Sequence, residues 1–116
     1  MQYMLLIYSN KADEPKPGTA EMEPHMQGYF EFTGNVQQAG KFVAGDPLQP
    51  VATATTVRVR AGATQTTDGP FAGTKETLGG YYILDCEDLD EAIAYASQIP
   101  SAAFGSIEIR PIMVFS

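Results

Sequence analysis

The run QYMLLIY, Gln2 to Tyr8, is almost wholly bulky and apolar, with no alternation to mark a wet side. That pattern predicts a central strand covered on both faces. Asn10 to Gly18, with two prolines and mixed charge, then reads as a loop. From about Glu23 to Ala39, Met26, Tyr29, Phe30, Thr33 and Val36 recur at helical spacing, while Gln27, Glu31, Asn35 and Gln38 fall on other faces. Pro24 suits the first turn of this helix and Gly40 the left-handed residue that closes it.

Lys41 onward begins as a strand that breaks at Gly45-Asp46-Pro47. TTVRVRAGATQTTDG then alternates around Ala61-Gly62, the signature of a hairpin with one face exposed; Arg58 and Arg60 share one face and Val57 and Val59 the other. GYYILDC, Gly80 to Cys86, is again apolar on both faces and predicts a second central strand. Asp88 and Glu91 form a reciprocal helix cap, followed by one face made of Leu89, Ala92, Ile93, Ala96 and Ile99 before Pro100 ends the helix. SIEIRPIMV, Ser106 to Val114, contains Pro111 and fits an edge strand. Without the inserted β-hairpin the order is βαββαβ, so the expected fold class is α+β, a ferredoxin-like sandwich. Its two helices cover one face of the sheet, yet the central strands are apolar on both. A second copy of the chain, packed sheet to sheet, is the expected cover.

At 116 residues, 44% hydrophobic and 18% charged, the chain has the makings of a single globular domain over residues 1–116. Fourteen acidic against seven basic residues give a net charge of −7, a field that disfavours direct nucleic acid binding and anionic membrane surfaces. One cysteine, Cys86, permits no intramolecular disulfide. MQYMLLIYSN lacks a basic n-region and a cleavage site and is too short to span a bilayer, which predicts a soluble, cytoplasmic protein.

The segments TDGPFAGTKETLGGYYILDCEDLDEAIAYASQIP, LQPVATATTVRVR and GSIEIRPIM closely resemble the DGPF group of the YCII-related proteins and its flanking segments. The match covers about three quarters of the chain, with several motifs in the expected order. The resemblance implies a dimeric α/β barrel made from two ferredoxin-like subunits, in agreement with the uncovered sheet face. It also implies small enzymes with a His-Asp pair near a pocket, one relative being a dehydrochlorinase, and the company of extracytoplasmic-function sigma factors. His25, on the first helix, falls roughly where the histidine of such a pair is expected.

Each chemical candidate carries two readings. Asp68 opens an Asp-Gly-Pro turn, either as a turn residue bonded to backbone N–H groups or as a carboxylate aimed into a pocket with Phe71 as its wall. Lys75 and Glu76 are either a solvated pair or, with the loop folded back, an anion holder and a proton carrier. His25 is either packing or the proton-transfer group, with Asp46 or Asp68 as partner. The enzyme reading gives catalysis to Asp68, His25 and Glu76, and ligand binding to Lys75, Arg58, Phe71 and Tyr29. The other reading is a non-catalytic small-ligand-binding or regulatory module in sigma-factor transcription control. GPFAGTK has the wrong spacing for a phosphate loop, and one cysteine with one histidine supplies too few soft ligands for a metal site; no metal and no cofactor is expected. Cys86, inside an apolar strand, is read as a packed small side chain.

Overall fold

A computed structural model describes residues 1–115. The elements run β1 (Gln2–Ser9), α1 (Met22–Gln38), β2 (Phe42–Pro47), β3 (Thr55–Arg60), β4 (Ala63–Asp68), β5 (Thr77–Asp85), α2 (Leu89–Ala96) and β6 (Ser106–Pro111), with short 3-10 turns at Lys11–Asp13, Val51–Thr53 and Pro100–Ala103. A four-stranded antiparallel sheet has the order β2-β5-β1-β6, and β3-β4 form a separate two-stranded sheet. This is the ferredoxin-like α+β arrangement with the hairpin inserted between β2 and β5. The two apolar strands, β1 and β5, occupy the centre as their composition demands.

Tyr3, Leu5, Ile7, Tyr82 and Leu84 point to the helix side and meet Phe32 and Val36 of α1 and Ala92 and Ala96 of α2 in one buried core. The other sides of the same strands carry Met4, Leu6, Tyr8, Tyr81 and Ile83, all half-buried. Parity alone assigns these sets, since side chains alternate across a strand. One irregularity interrupts the parity: Ile7 pairs with Gly80 but Tyr8 pairs with Leu78, so Gly79 is an extra residue in β5.

Helix ends follow their local chemistry. Past α1, Lys41 N–H reaches Val36 O at 2.9 Å and Gly40 N–H reaches Gln37 O at 3.0 Å, with Gly40 at φ +74°. Those paired bonds close the helix and need a residue that tolerates a left-handed backbone. At α2, Asp88 Oδ1 accepts Glu91 N–H at 2.9 Å. The Glu91 carboxylate turns instead to Glu87 N–H at 3.3 Å and to Lys41 Nζ at 2.9 Å, so the expected reciprocal bond to Asp88 is not made.

Several expectations shift. Met26 and Phe30 do not reach the core; Phe32 and Val36 do, which rotates the buried stripe of α1 and leaves Phe30 at 66% exposure. α2 ends at Ala96, and Leu89 and Ile93 stay exposed because the small Ala92 and Ala96 make the close approach. Gly45-Asp46-Pro47 continues β2 rather than breaking it, which proline tolerates because β2 is an edge strand. β5 starts at Thr77, three residues early, and β6 stops at Pro111.

The hairpin turns at Ala61-Gly62, both at positive φ (51° and 76°), the turn whose twist suits adjoining strands. Both of its faces are exposed, with Val57 at 60% and Val59 at 59%, where one covered face was expected. The arm helps stretch the molecule to 48 × 48 × 18 Å.

Candidate active site

His25, Tyr29 and Thr33 lie four residues apart on α1, so they stack on one side of the helix. That side faces the ends of the strands across a cavity of about 410 Å³. The opposite wall comes from Ile7 and Ser9 of β1, Phe42 and Gly45 of β2, and Gly80 and Tyr82 of β5; Asp46 and Tyr81 border it while their side chains turn to the other face of the sheet. Glu14, after the first 3-10 turn, and Ser101, in the turn after α2, close the ends. Phe30 and Met26, too exposed to serve the core, form its apolar lip.

Glycine makes the wall thin. A Cβ on Gly45 would sit 2.6 Å from the Tyr82 ring, and one on Gly80 would sit 3.0 Å from Asp46 O. Both would displace neighbours that shape the cavity.

The polar groups are organised in pairs. Ser9 Oγ donates to Glu14 Oε1 at 2.7 Å, and Tyr81 Oη donates to Asp46 Oδ2 at 2.9 Å. Tyr29 Oη and Ser101 Oγ lie 2.6 Å apart, and Thr33 Oγ1 and Tyr82 Oη 2.7 Å apart. His25 packs its ring edge-on against Tyr29 and Phe104, with centroids at 5.2 and 5.7 Å.

Burial lowers the proton affinity of His25, and the Glu14 carboxylate nearby works against that shift. The imidazole is therefore biased to its neutral, proton-accepting form at pH 7. Burial raises the pKa of the Tyr29 phenol, with the Ser101 bond opposing, and raises that of Tyr82, with the Thr33 bond opposing. Tyr81 is raised chiefly by its bond to the Asp46 carboxylate. The phenols stay protonated and can donate. A base and several fixed donors around an apolar space can bind a small molecule and move one of its protons.

Of the residues marked in the sequence, His25 and Tyr29 line this cavity. Asp68, Glu76, Lys75, Arg58 and Phe71 do not. Asp68 ends β4 exposed and makes no side-chain hydrogen bond among the described residues; the turn is held instead by Gly69 N–H on Ala54 O at 2.7 Å and by Thr56 Oγ1 on Gly69 O at 2.8 Å. Gly69 takes φ +98°, so the turn needs its glycine. Glu76 accepts from Ser106 Oγ at 2.8 Å and does not pair with Lys75. Arg58 lies on the arm, and Phe71 is exposed in the loop. Asp46, one of the two carboxylates considered as a partner for His25, borders the cavity but turns its side chain to Tyr81 on the other face of the sheet. Ser9, Glu14, Ser101 and Tyr82 came from no sequence signal: each is an ordinary polar residue in a strand or turn, brought in by topology.

Among the described residues no cluster of three or more His, Cys, Asp or Glu side chains is arranged for a metal, and no helix is long and apolar enough to cross a membrane.

The YCII-related domain family matches residues 1–116. The chain belongs to that family. This YCII-related chain is 36% identical to an uncharacterized protein of Rhizobium meliloti (strain 1021), over 99% of its own length and 94% of that relative. Among solved structures it is similar to 5-chloro-2-hydroxyhydroquinone dehydrochlorinase from Burkholderia phenoliruptrix AC1100, in complex with 2,5-dihydroxybenzoquinone. That likeness has a TM-score of 0.49 at 16% identity, over 97% of this chain and 94% of that one.

Proposed function

We propose that the cavity is the active site of a small-molecule enzyme in which His25 takes a proton from a bound substrate. The observation that carries this reading is the placement of the one histidine in the wall of an aromatic cavity, partly desolvated and beside Glu14. Glu14 stabilises the imidazolium that forms, and the Tyr29 and Tyr82 hydroxyls are the donors for oxygen on the substrate.

The test is hydrogen exchange of weak carbon acids such as acetylacetone and cyclohexane-1,3-dione in D₂O, followed by NMR. His25→Gln should slow exchange about 100-fold or more, the usual worth of a positioned base. Protein-catalysed exchange that is indifferent to His25→Gln refutes the reading. A non-catalytic binding module keeps the same cavity but shows no catalysed exchange at all.

The same reading seats a second copy on the open sheet face, where Met4, Leu6, Tyr8 and Ile83 present an apolar centre. Light scattering should give a dimer mass, and Leu6→Arg should give a monomer. A monomer from the unaltered chain at micromolar concentration removes the pairing.

A further inference from the structure

The charge around the cavity is unbalanced. The Glu14 carboxylate reaches it, the Asp46 carboxylate bonds Tyr81 on the other face of the sheet, and no lysine or arginine lines it. Among the described residues the ion pairs are Met1 amine with Asp85 and Lys41 with Glu91, so Glu14 has no cation of its own. Its partner is a neutral hydroxyl, Ser9. His25 supplies no compensation at neutral pH, since burial favours its uncharged form.

We infer that the cavity is a charge filter: it admits uncharged or cationic small molecules with a flat apolar body and rejects carboxylates and phosphates. The body is set by the walls, where Tyr29, Phe30, Phe42 and Tyr82 offer ring faces and edges. The head is set by the uncompensated negative charge, which attracts an ammonium group directly and through the ring faces. A carboxylate entering the same space meets the like charge of Glu14 and no donor stronger than a hydroxyl. This is the reverse of the anionic substrate that Lys75 and Arg58 would have implied, and both of those cations lie elsewhere. The filter rests on the proposed site being the ligand site, and it says nothing of whether a proton moves.

The experiment uses three probes of one size and shape: benzylamine, benzyl alcohol and benzoate. Binding to the full chain is followed by chemical-shift perturbation of the His25 and Tyr29 resonances at pH 7.5 and low salt. The expected order is benzylamine, then benzyl alcohol, then benzoate, with amine over carboxylate by about tenfold or more, as a poorly screened charge nearby implies. Glu14→Gln should bring the amine and carboxylate within about threefold, while Asp46→Asn, on the other face of the sheet, should keep the order. His25→Gln should keep the order while slowing proton exchange, which separates failure of the filter from failure of the catalytic reading. Benzoate binding as tightly as benzylamine, or an order unchanged in Glu14→Gln, overturns the filter. Absence of binding by all three overturns the cavity as a ligand site, and the catalytic reading with it.

Discussion

Ser101 is 5% exposed, and its hydroxyl has one side-chain partner, Tyr29 Oη at 2.6 Å, on a helix 72 residues away in sequence. Tyr29→Phe removes that partner and leaves a buried hydroxyl unpaired, which costs about 1.5–2 kcal/mol. Ser101→Ala leaves the Tyr29 hydroxyl beside the cavity, where water can replace the lost bond, so its cost is lower, about 0.5–1 kcal/mol. Once Tyr29 is Phe, Ser101→Ala removes an orphan and becomes nearly neutral. The double variant should therefore fall short of the sum of the singles by about 1 kcal/mol. Urea unfolding at fixed protein concentration, with unchanged slope, is the assay. Single costs that simply add, or a Tyr29→Phe protein as stable as the original, would refute the view that this bond clamps α1 to the far end of the cavity.

Gly105→Ala should be severely destabilising or prevent folding, because its Cβ would lie 2.2 Å from Tyr8 O and 3.1 Å from Ser101 O; Gly34→Ala, with open space inside α1, should instead stabilise by about 0.5–1 kcal/mol in the same urea assay. His25 is lowered in the fold, so the unfolded chain binds its proton more readily. Stability should then hold above pH 6.5 and decline as pH falls from there toward the lower folded value, and His25→Gln should remove that part of the decline in a pH series of urea midpoints. Glu91 is lowered chiefly by its bond to Lys41, so its contribution is present above about pH 4.5 and lost on acidification; Glu91→Gln should flatten the profile in that acid range. Cys86, 1% exposed and raised by burial, should react with a disulfide reagent only as the chain unfolds, and fast labelling in native buffer would contradict its placement.

The fold was legible where a local pattern has one structural meaning. The unbroken apolar runs of β1 and β5 named the central strands, Ala61-Gly62 named the turn, and Asp88 named the start of α2. Details set by packing were not. Nothing local tells that Phe32 rather than Phe30 turns to the core, since both fit a helical stripe and only the tilt of α1 on the sheet selects between them. The site was half legible. His25 and Tyr29 share a helix side by spacing alone, but Ser9, Glu14 and Ser101 join them through strand order and loop closure across the whole chain. The Asp-Gly-Pro segment drew attention because turn residues and pocket residues are chemically the same; there the backbone's need for a left-handed Gly69 is sufficient reason.

The spare glycine of β5 has a wider meaning. Facing residues in an antiparallel pair project to the same side, and Ser9 faces Thr77 only because Gly79 is skipped. Were Gly79 paired in regular register with Tyr8, Leu78 would fall opposite Ser9, driving a leucine into the space that His25 overlooks. The hollow is thus kept open by a fault in the pairing, and whatever straightens the strand at Gly79 would plug it with no change in the number of residues.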